Sequence, residues 1–180
     1  NSFHINEDAE ITIEANPSTI DFDKLFEYRK AGINRLSLGV QSMNKTELDF
    51  LGRHHTPERA EKAVKDAHSA GFENISCDLM TGLPNQTISD ISHSIERLAE
   101  LNITHISSYI LKVEEGTRFH IDGIIEKLPD DDYISGLYLE MCDILSSYGY
   151  KQYEISNFAK NNFQSRHNNR YWKCEDYLGI

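Results

Sequence analysis

Three side chains suited to gripping a polar ligand recur at one structural address. Glu14 in EITIEAN, Gln41 in RLSLGVQ and Asp78 in NISCDLM each lie at or near the end of a run in which polar and apolar residues alternate. All three fall on the polar parity of their run. Arg53 follows Gln41 in the polar loop GRHHTP. Two carboxylates, an amide and a guanidinium could together hold hydroxyls, an amine and a carboxylate. The same groups could instead pair among themselves as an internal salt-bridge network. Alternatively, Glu14 and Asp78 could be the acid and base of a hydrolase, which predicts two carboxyls across a pocket with Arg53 turned away. A second cluster, RHNNRYW, sets His167 and Asn168 beside Tyr171 and Trp172. An imidazole flanked by aromatics could be an axial ligand to a flat apolar iron cofactor, or the cluster could be an aromatic plug with polar tips. His54 and His55 read as ordinary loop residues.

The elements that carry these residues follow from period and punctuation. In the stretch Ile75 to Pro84, Ile75, Cys77 and Leu79 share one strand face, while Asn74, Ser76, Asp78 and Met80 share the other. Gly82 and Pro84 break this strand, and a helix with Ile91, Ile95 and Leu98 at helical spacing follows Thr87. The runs around Glu14 and Gln41 repeat the design, each followed by a helix. A helix capped by Thr56 and started by Pro57 turns Ala60, Ala63, Val64 and Ala67 inward. A fourth strand is expected over Thr104 to Leu111. Strand alternating with helix means parallel pairing. Helices cover one face, so the polar face needs an interior, as in a closed or partly closed barrel.

Beyond this arc, residues 113–127 read as loop with short extended pieces. Pro129 and the acids Asp130, Asp131 and Asp132 start a longer helix with Ile134, Leu137, Met141, Leu145 and Tyr148 inward. YKQYEISNF reads as one last strand, and the remainder has no clear period. The expected class is α/β: a partial parallel (β/α) barrel, incomplete at its N-terminal side, with a C-terminal α/β extension. The division is 1–125 for the barrel portion and 126–180 for helix, strand and the His167 segment. A full eightfold barrel needs roughly 250 residues, more than the 180 present.

Eighteen basic against 29 acidic residues leave a net charge of −11. That argues against binding nucleic acid or an anionic membrane through a broad basic face. No apolar run approaches a membrane span, and a cytoplasmic location is expected. Cys77, Cys142 and Cys174 are too far apart for local metal-ligand spacing and read as reduced thiols. The opening on Asn1 and the closing YLGI are expected of a piece of a longer protein.

In order and spacing, EITIEANP, NRLSLGVQSMN, LGRHHT, CDLMTGLPNQT, SSYILKVEEGT, YEISNFAK and SRHNNRYWKCEDYLG resemble the oxygen-independent coproporphyrinogen III oxidase-like family of radical S-adenosylmethionine (SAM) proteins. The resemblance covers nearly the whole chain. SSYILKVEEGT and the HNxxYW motif, His167 to Trp172, resemble the haem-chaperone branch more than the porphyrinogen oxidases. It implies a partial barrel holding a [4Fe-4S] cluster through CxxxCxxC, with SAM on the unique iron. The chain has neither that motif nor the GGGTP segment that would precede Glu14, so both are expected upstream, outside this chain. Radical chemistry then belongs to the intact protein, and this stretch alone is expected to be inactive. By position, Glu14, Gln41, Arg53 and Asp78 match the family's SAM contacts, and His167 is the candidate axial ligand of haem. The function implied is a haem chaperone that passes haem to an acceptor protein. The alternatives are a coproporphyrinogen III oxidase acting on propionate side chains and a non-catalytic haem carrier.

Overall fold

The computed structural model describes residues 5–178; residues 1–4 and 179–180, with the final Gly-Ile of the closing YLGI, lie outside the described part. Four parallel strands form first: β1 (Thr12–Ala15), β2 (Arg35–Gln41), β3 (Asn74–Thr81) and β4 (His105–Ile110). Helices α1 (Phe22–Lys30), α2 (Lys45–Phe50), α3 (Pro57–Ser69) and α4 (Ile88–Glu100) fill the connections. Each begins on a side chain that accepts an orphan backbone N–H: Asp21, Asn44, Thr56 and Thr87, the last in a reciprocal capping box with Asp90. The expected strand and helix units are therefore present in order.

The alternation decides which face is dry. Leu36, Leu38 and Val40 of β2, with Ile75 and Cys77 of β3, are fully buried in one core with Ala60, Ala63, Val64 and Ala67 of α3 and Ile95 and Leu98 of α4. The small residues of α3 let it approach closely. The opposite face of the sheet carries Glu14, Ser37, Ser76, Asp78, His105 and Ser107. It is the face on which ligand chemistry can be built.

The second half departs from expectation in three places. Residues 113–127 hold two short helical turns, α5 (Arg118–Ile121) and a 3-10 turn at Ile124–Lys127, in place of extended pieces. Thr117 caps α5 by accepting the His120 N–H, a local bond that competes with strand pairing. After α6 (Asp131–Ser147), the run expected as one strand is a hairpin, β5 (Lys151–Glu154) and β6 (Asn157–Ala159). Glu154 Oε2 accepts the Ser156 N–H at 2.9 Å and closes the turn. The patternless tail forms α7 (Arg166–Trp172), capped by Ser165. Tyr148, expected inward, is the C-cap of α6 and is exposed, while Leu137, Met141 and Leu145 are buried as expected.

β6 pairs antiparallel with β4, so the sheet order is β1-β2-β3-β4-β6-β5. The sheet is open, not closed. No helix among the described residues is long and apolar enough to cross a membrane.

Candidate functional site

Parallel register lays the polar face out in rows. Glu14 lies beside Ser37, Ser37 beside Ser76, and Ser76 beside His105. One row nearer the strand ends, Asp78 lies beside Ser107, which pairs with Asn157 across the antiparallel joint. Two adjoining cavities share Glu14, Ser37 and Asp78 as a common wall. The first, of about 340 Å³, is lined also by Gln41, Arg53 and Gly39. The second, of about 330 Å³, is lined by Glu10, Thr12, Arg35, Tyr109 and His167. Thus Glu14, Gln41, Arg53 and Asp78 meet around one cavity, and His167 reaches the neighbouring one.

Gln41 arrives there by a route that alternation alone does not describe. The ladder between β2 and β3 slips between Leu38 and Gln41, which pairs with Leu79. Gln41 has φ 70°, the left-handed region that side-chain-bearing residues seldom adopt. Such a bulge re-aims a side chain at the end of a strand. A Cβ on Gly39 would stand 3.1 Å from Gln41 Nε2, so glycine there leaves the amide its room.

The loop bearing Arg53 is pinned by a residue that reads as unremarkable in the sequence. His55 is only 2% exposed, and its Nε2 lies 2.9 Å from the Val40 carbonyl. A carbonyl only accepts, so Nε2 carries the proton. Burial holds the imidazole below its ordinary pKa and therefore neutral. His55 is thus a buried strut beneath the loop, a correction to its reading as an ordinary loop residue.

Neither alternative built on pairing among these groups fits the geometry. Among the described residues, the arginines in ion pairs are Arg97, Arg118, Arg166 and Arg170. Arg53 is not one of them, so no salt-bridge network ties it to Glu14 or Asp78. Arg53 also lines the same cavity as the two acids, whereas a hydrolase pair predicts it turned away. Asp78 is half-buried, and its pKa is pushed up to about 6, chiefly by burial and further by Glu14. The hydroxyls of Ser107 and Ser37 and the Arg35 guanidinium oppose the rise. A carboxyl in that state gains from a ligand that donates to it.

α7 brings His167 to the second cavity. The backbone N–H groups of Arg166 and His167 donate to Glu10 Oε2 and Oε1 at 3.2 and 3.1 Å. Arg166 Nη1 donates to the Asp8 carbonyl at 2.6 Å. On its other side Trp172 packs against Tyr153, with ring centroids 5.7 Å apart. The aromatic packing is therefore real, yet the imidazole of His167 is exposed, edge-on to Tyr171 at 4.9 Å. Among the described residues its ring makes no hydrogen bond.

Below α7 runs a buried polar relay absent from the sequence reading. Tyr153 Oη accepts the Ser165 N–H at 3.1 Å and lies 2.7 Å from His105 Nε2. Ser76 Oγ lies 2.8 Å from His105 Nδ1. Burial, with the nearby Arg35 charge, lowers the His105 pKa to about 3, so this histidine is a neutral connector. The apolar alternation of HISSYI signals a strand but not this chain of polar contacts across 48 residues.

A family model described as the radical SAM superfamily matches residues 2–98. Over 173 residues the chain is 42% identical to "Heme chaperone HemW" of Escherichia coli, covering 96% of this chain and 45% of that protein. It is 39% identical over 176 residues to "Heme chaperone HemW" of Bacillus subtilis, covering 96% and 46%. The chain thus spans about half the length of these relatives. Among solved structures it resembles coproporphyrinogen III oxidase (HemN) from Escherichia coli, with a TM-score of 0.80 and 31% identity. That likeness covers 89% of this chain and 37% of HemN.

Proposed function

This chain belongs to the radical SAM superfamily, and from that premise we propose that it forms the SAM-binding and haem-facing middle of a haem chaperone. The observation that carries the reading is the convergence of Glu14, Gln41, Arg53 and Asp78 on one cavity, with Arg53 in no ion pair among the described residues. Gln41, Arg53 and Asp78 are buried or half-buried there, and polar groups so placed favour an outside partner.

The donor set fits SAM. The guanidinium of Arg53 suits the methionyl carboxylate in a bidentate pair. Glu14 and Asp78 accept from the amino group or ribose hydroxyls, and the Gln41 amide both donates and accepts. SAM, when bound, supplies a sulfonium with a cleavable carbon–sulfur bond. The residues present do not fit the [4Fe-4S] cluster. Cys77 is buried on the helix side of the sheet, Cys142 lies on α6 and Cys174 beyond α7. No group of three His, Cys, Asp or Glu among the described residues is arranged to hold a metal. The cluster's ligands are assigned to the rest of the protein.

Haem is the cargo. His167 offers an exposed imidazole on the wall of the second cavity, which Asn168, Tyr109 and Arg35 also line. The relatives named as haem chaperones align with this chain through that segment. An acceptor protein would take the haem in turn, and three unpaired thiols suit a cytoplasmic setting. The likeness to HemN supports a second reading, oxidation of coproporphyrinogen propionates on the same face.

The deciding experiment uses the intact protein under anaerobic conditions. It is titrated with haem, followed by the Soret band, and separately assayed for decarboxylation of coproporphyrinogen. Saturable haem binding without decarboxylation is the expected result. Decarboxylation would turn the assignment to the oxidase, and the absence of both would remove haem as the cargo.

A further inference from the structure

The second cavity contains a charge that the proposed SAM contacts do not use. Arg35, the first residue of β2, is 95% buried by its exposed fraction of 5%. Its Nε is buried without a hydrogen-bond partner, and Arg35 is not among the arginines in ion pairs. A guanidinium nitrogen buried in this way carries a desolvation cost that no hydrogen bond among the described residues offsets. Beside it, Thr12 Oγ1 is also buried and unpartnered. Both line the cavity that His167 faces.

The neighbouring acids do not serve as its partners. Glu10 has both carboxylate oxygens engaged by the backbone of α7. Glu14 is exposed. Asp78 lies close enough to feel the Arg35 charge, but forms no ion pair with it within 4.0 Å. Each of the two adjoining cavities therefore has one guanidinium in its lining, Arg53 in one and Arg35 in the other. What differs is burial: Arg35 is 5% exposed with its Nε unmatched, whereas Arg53 is half-buried.

We propose that Arg35, with the Thr12 hydroxyl, is the anchor for a carboxylate of the ligand that enters the His167 cavity. Building on the haem reading above, that carboxylate is a haem propionate. A planar fork of N–H donors is the group best matched to a carboxylate, and it gains most where water is excluded. Such a contact would orient the macrocycle as well as hold it, because propionates occupy one edge only. The iron side would then be left to His167, on the same cavity.

The test compares haem with its dimethyl ester, in which both propionates are blocked, on the intact protein and its Arg35→Met and Arg35→Lys variants. Arg35→Met keeps length and apolar packing but removes the charge. Expected is a loss of at least about tenfold in haem affinity for Arg35→Met, with ester affinity equal in variant and parent. Arg35→Lys should recover part of the loss, and at pH 8, where Asp78 is ionised, SAM affinity should stay within about twofold in both variants. Equal losses for haem and ester would mark a packing role and overturn the assignment. So would an unchanged haem affinity, or a loss confined to SAM. A parent protein that binds neither porphyrin would bring down the haem reading and this anchor together. A parent that binds both equally, with a Soret band dependent on His167, would keep the haem reading and reject the anchor alone.

Discussion

Glu10 accepts the backbone N–H of His167 at 3.1 Å, a contact between residues 157 positions apart. A carboxylate just ahead of β1 thereby sets where α7 begins and which cavity its histidine meets. The bond is solvent-exposed, so its contribution is at the lower end for a charge-assisted contact, about 1 kcal/mol. Glu10→Ala is expected to speed amide exchange at Arg166 and His167 by roughly three- to tenfold. The Soret band of the haem-loaded intact protein should broaden as the imidazole loses its fixed approach. Unchanged exchange at both amides would show that Glu10 does not fix where α7 begins.

Asp78 provides a pH signature whose sign is fixed by the direction of its shift. Its folded pKa of about 6 lies above the ordinary aspartate value of 3.8. The ionised carboxylate therefore destabilises the ligand-free fold, fully above pH 6 and not at all below the unfolded value. Asp78→Asn should raise stability by about 1–2 kcal/mol at pH 8, after allowance for solvent screening of a half-buried group. The gain should vanish near pH 4. SAM binding works the other way, since donors to Asp78 favour its ionised form. Affinity should rise between pH 5 and 7 in the parent and stay flat in Asp78→Asn. Denaturant melts and SAM titrations across that range measure both, and a flat parent profile would remove Asp78 from the contact set.

The pattern of residues made much of this site readable, and the exceptions have physical causes. Period-two alternation places Glu14 and Asp78 because strand geometry leaves no other choice once Ile75, Cys77 and Leu36 are buried. Gln41 reaches the same cavity through a bulge and a left-handed φ, which alternation does not encode. The hairpin was hidden because its turn has neither glycine nor proline: Glu154 makes the reversal with a side-chain bond. His55, His105 and Arg35 are not legible in the sequence for another reason. His55 and His105 matter through partners 15 and 48 residues away and Arg35 through its burial, none of which exists until the strands have paired.

His55 offers a test of how Arg53 is held. His55→Phe fills the buried space but deletes the donor to the Val40 carbonyl, leaving a buried acceptor without a partner. The expected cost is about 1–3 kcal/mol of stability. SAM affinity should fall by roughly three- to tenfold, because the loop that carries Arg53 loses its strut. Arg53→Ala in the His55→Phe background should then cost less than in the parent, as expected of residues acting in series. Full additivity of the two losses would show that His55 stabilises the fold without positioning Arg53.

Arg53 and His167 divide the two proposed ligands between two cavities that share a wall. Glu14, Ser37 and Asp78 belong to both cavities, but Arg53 lines only the first and His167 only the second. Arg53→Ala should weaken SAM binding by about 1.5–3 kcal/mol, the scale for a lost charge-assisted contact. Haem binding should survive it. His167→Ala should shift the Soret spectrum by removing an axial ligand, while SAM affinity changes by less than about twofold because no SAM contact is deleted. The measurement is a pair of titrations on each variant of the intact protein under anaerobic conditions. Because Asp78 borders both cavities, Asp78→Asn is expected to move both curves. If His167→Ala left the haem spectrum and affinity as they are in the parent, α7 would be an aromatic brace on Tyr153, and the iron would have to be held by a residue elsewhere in the protein.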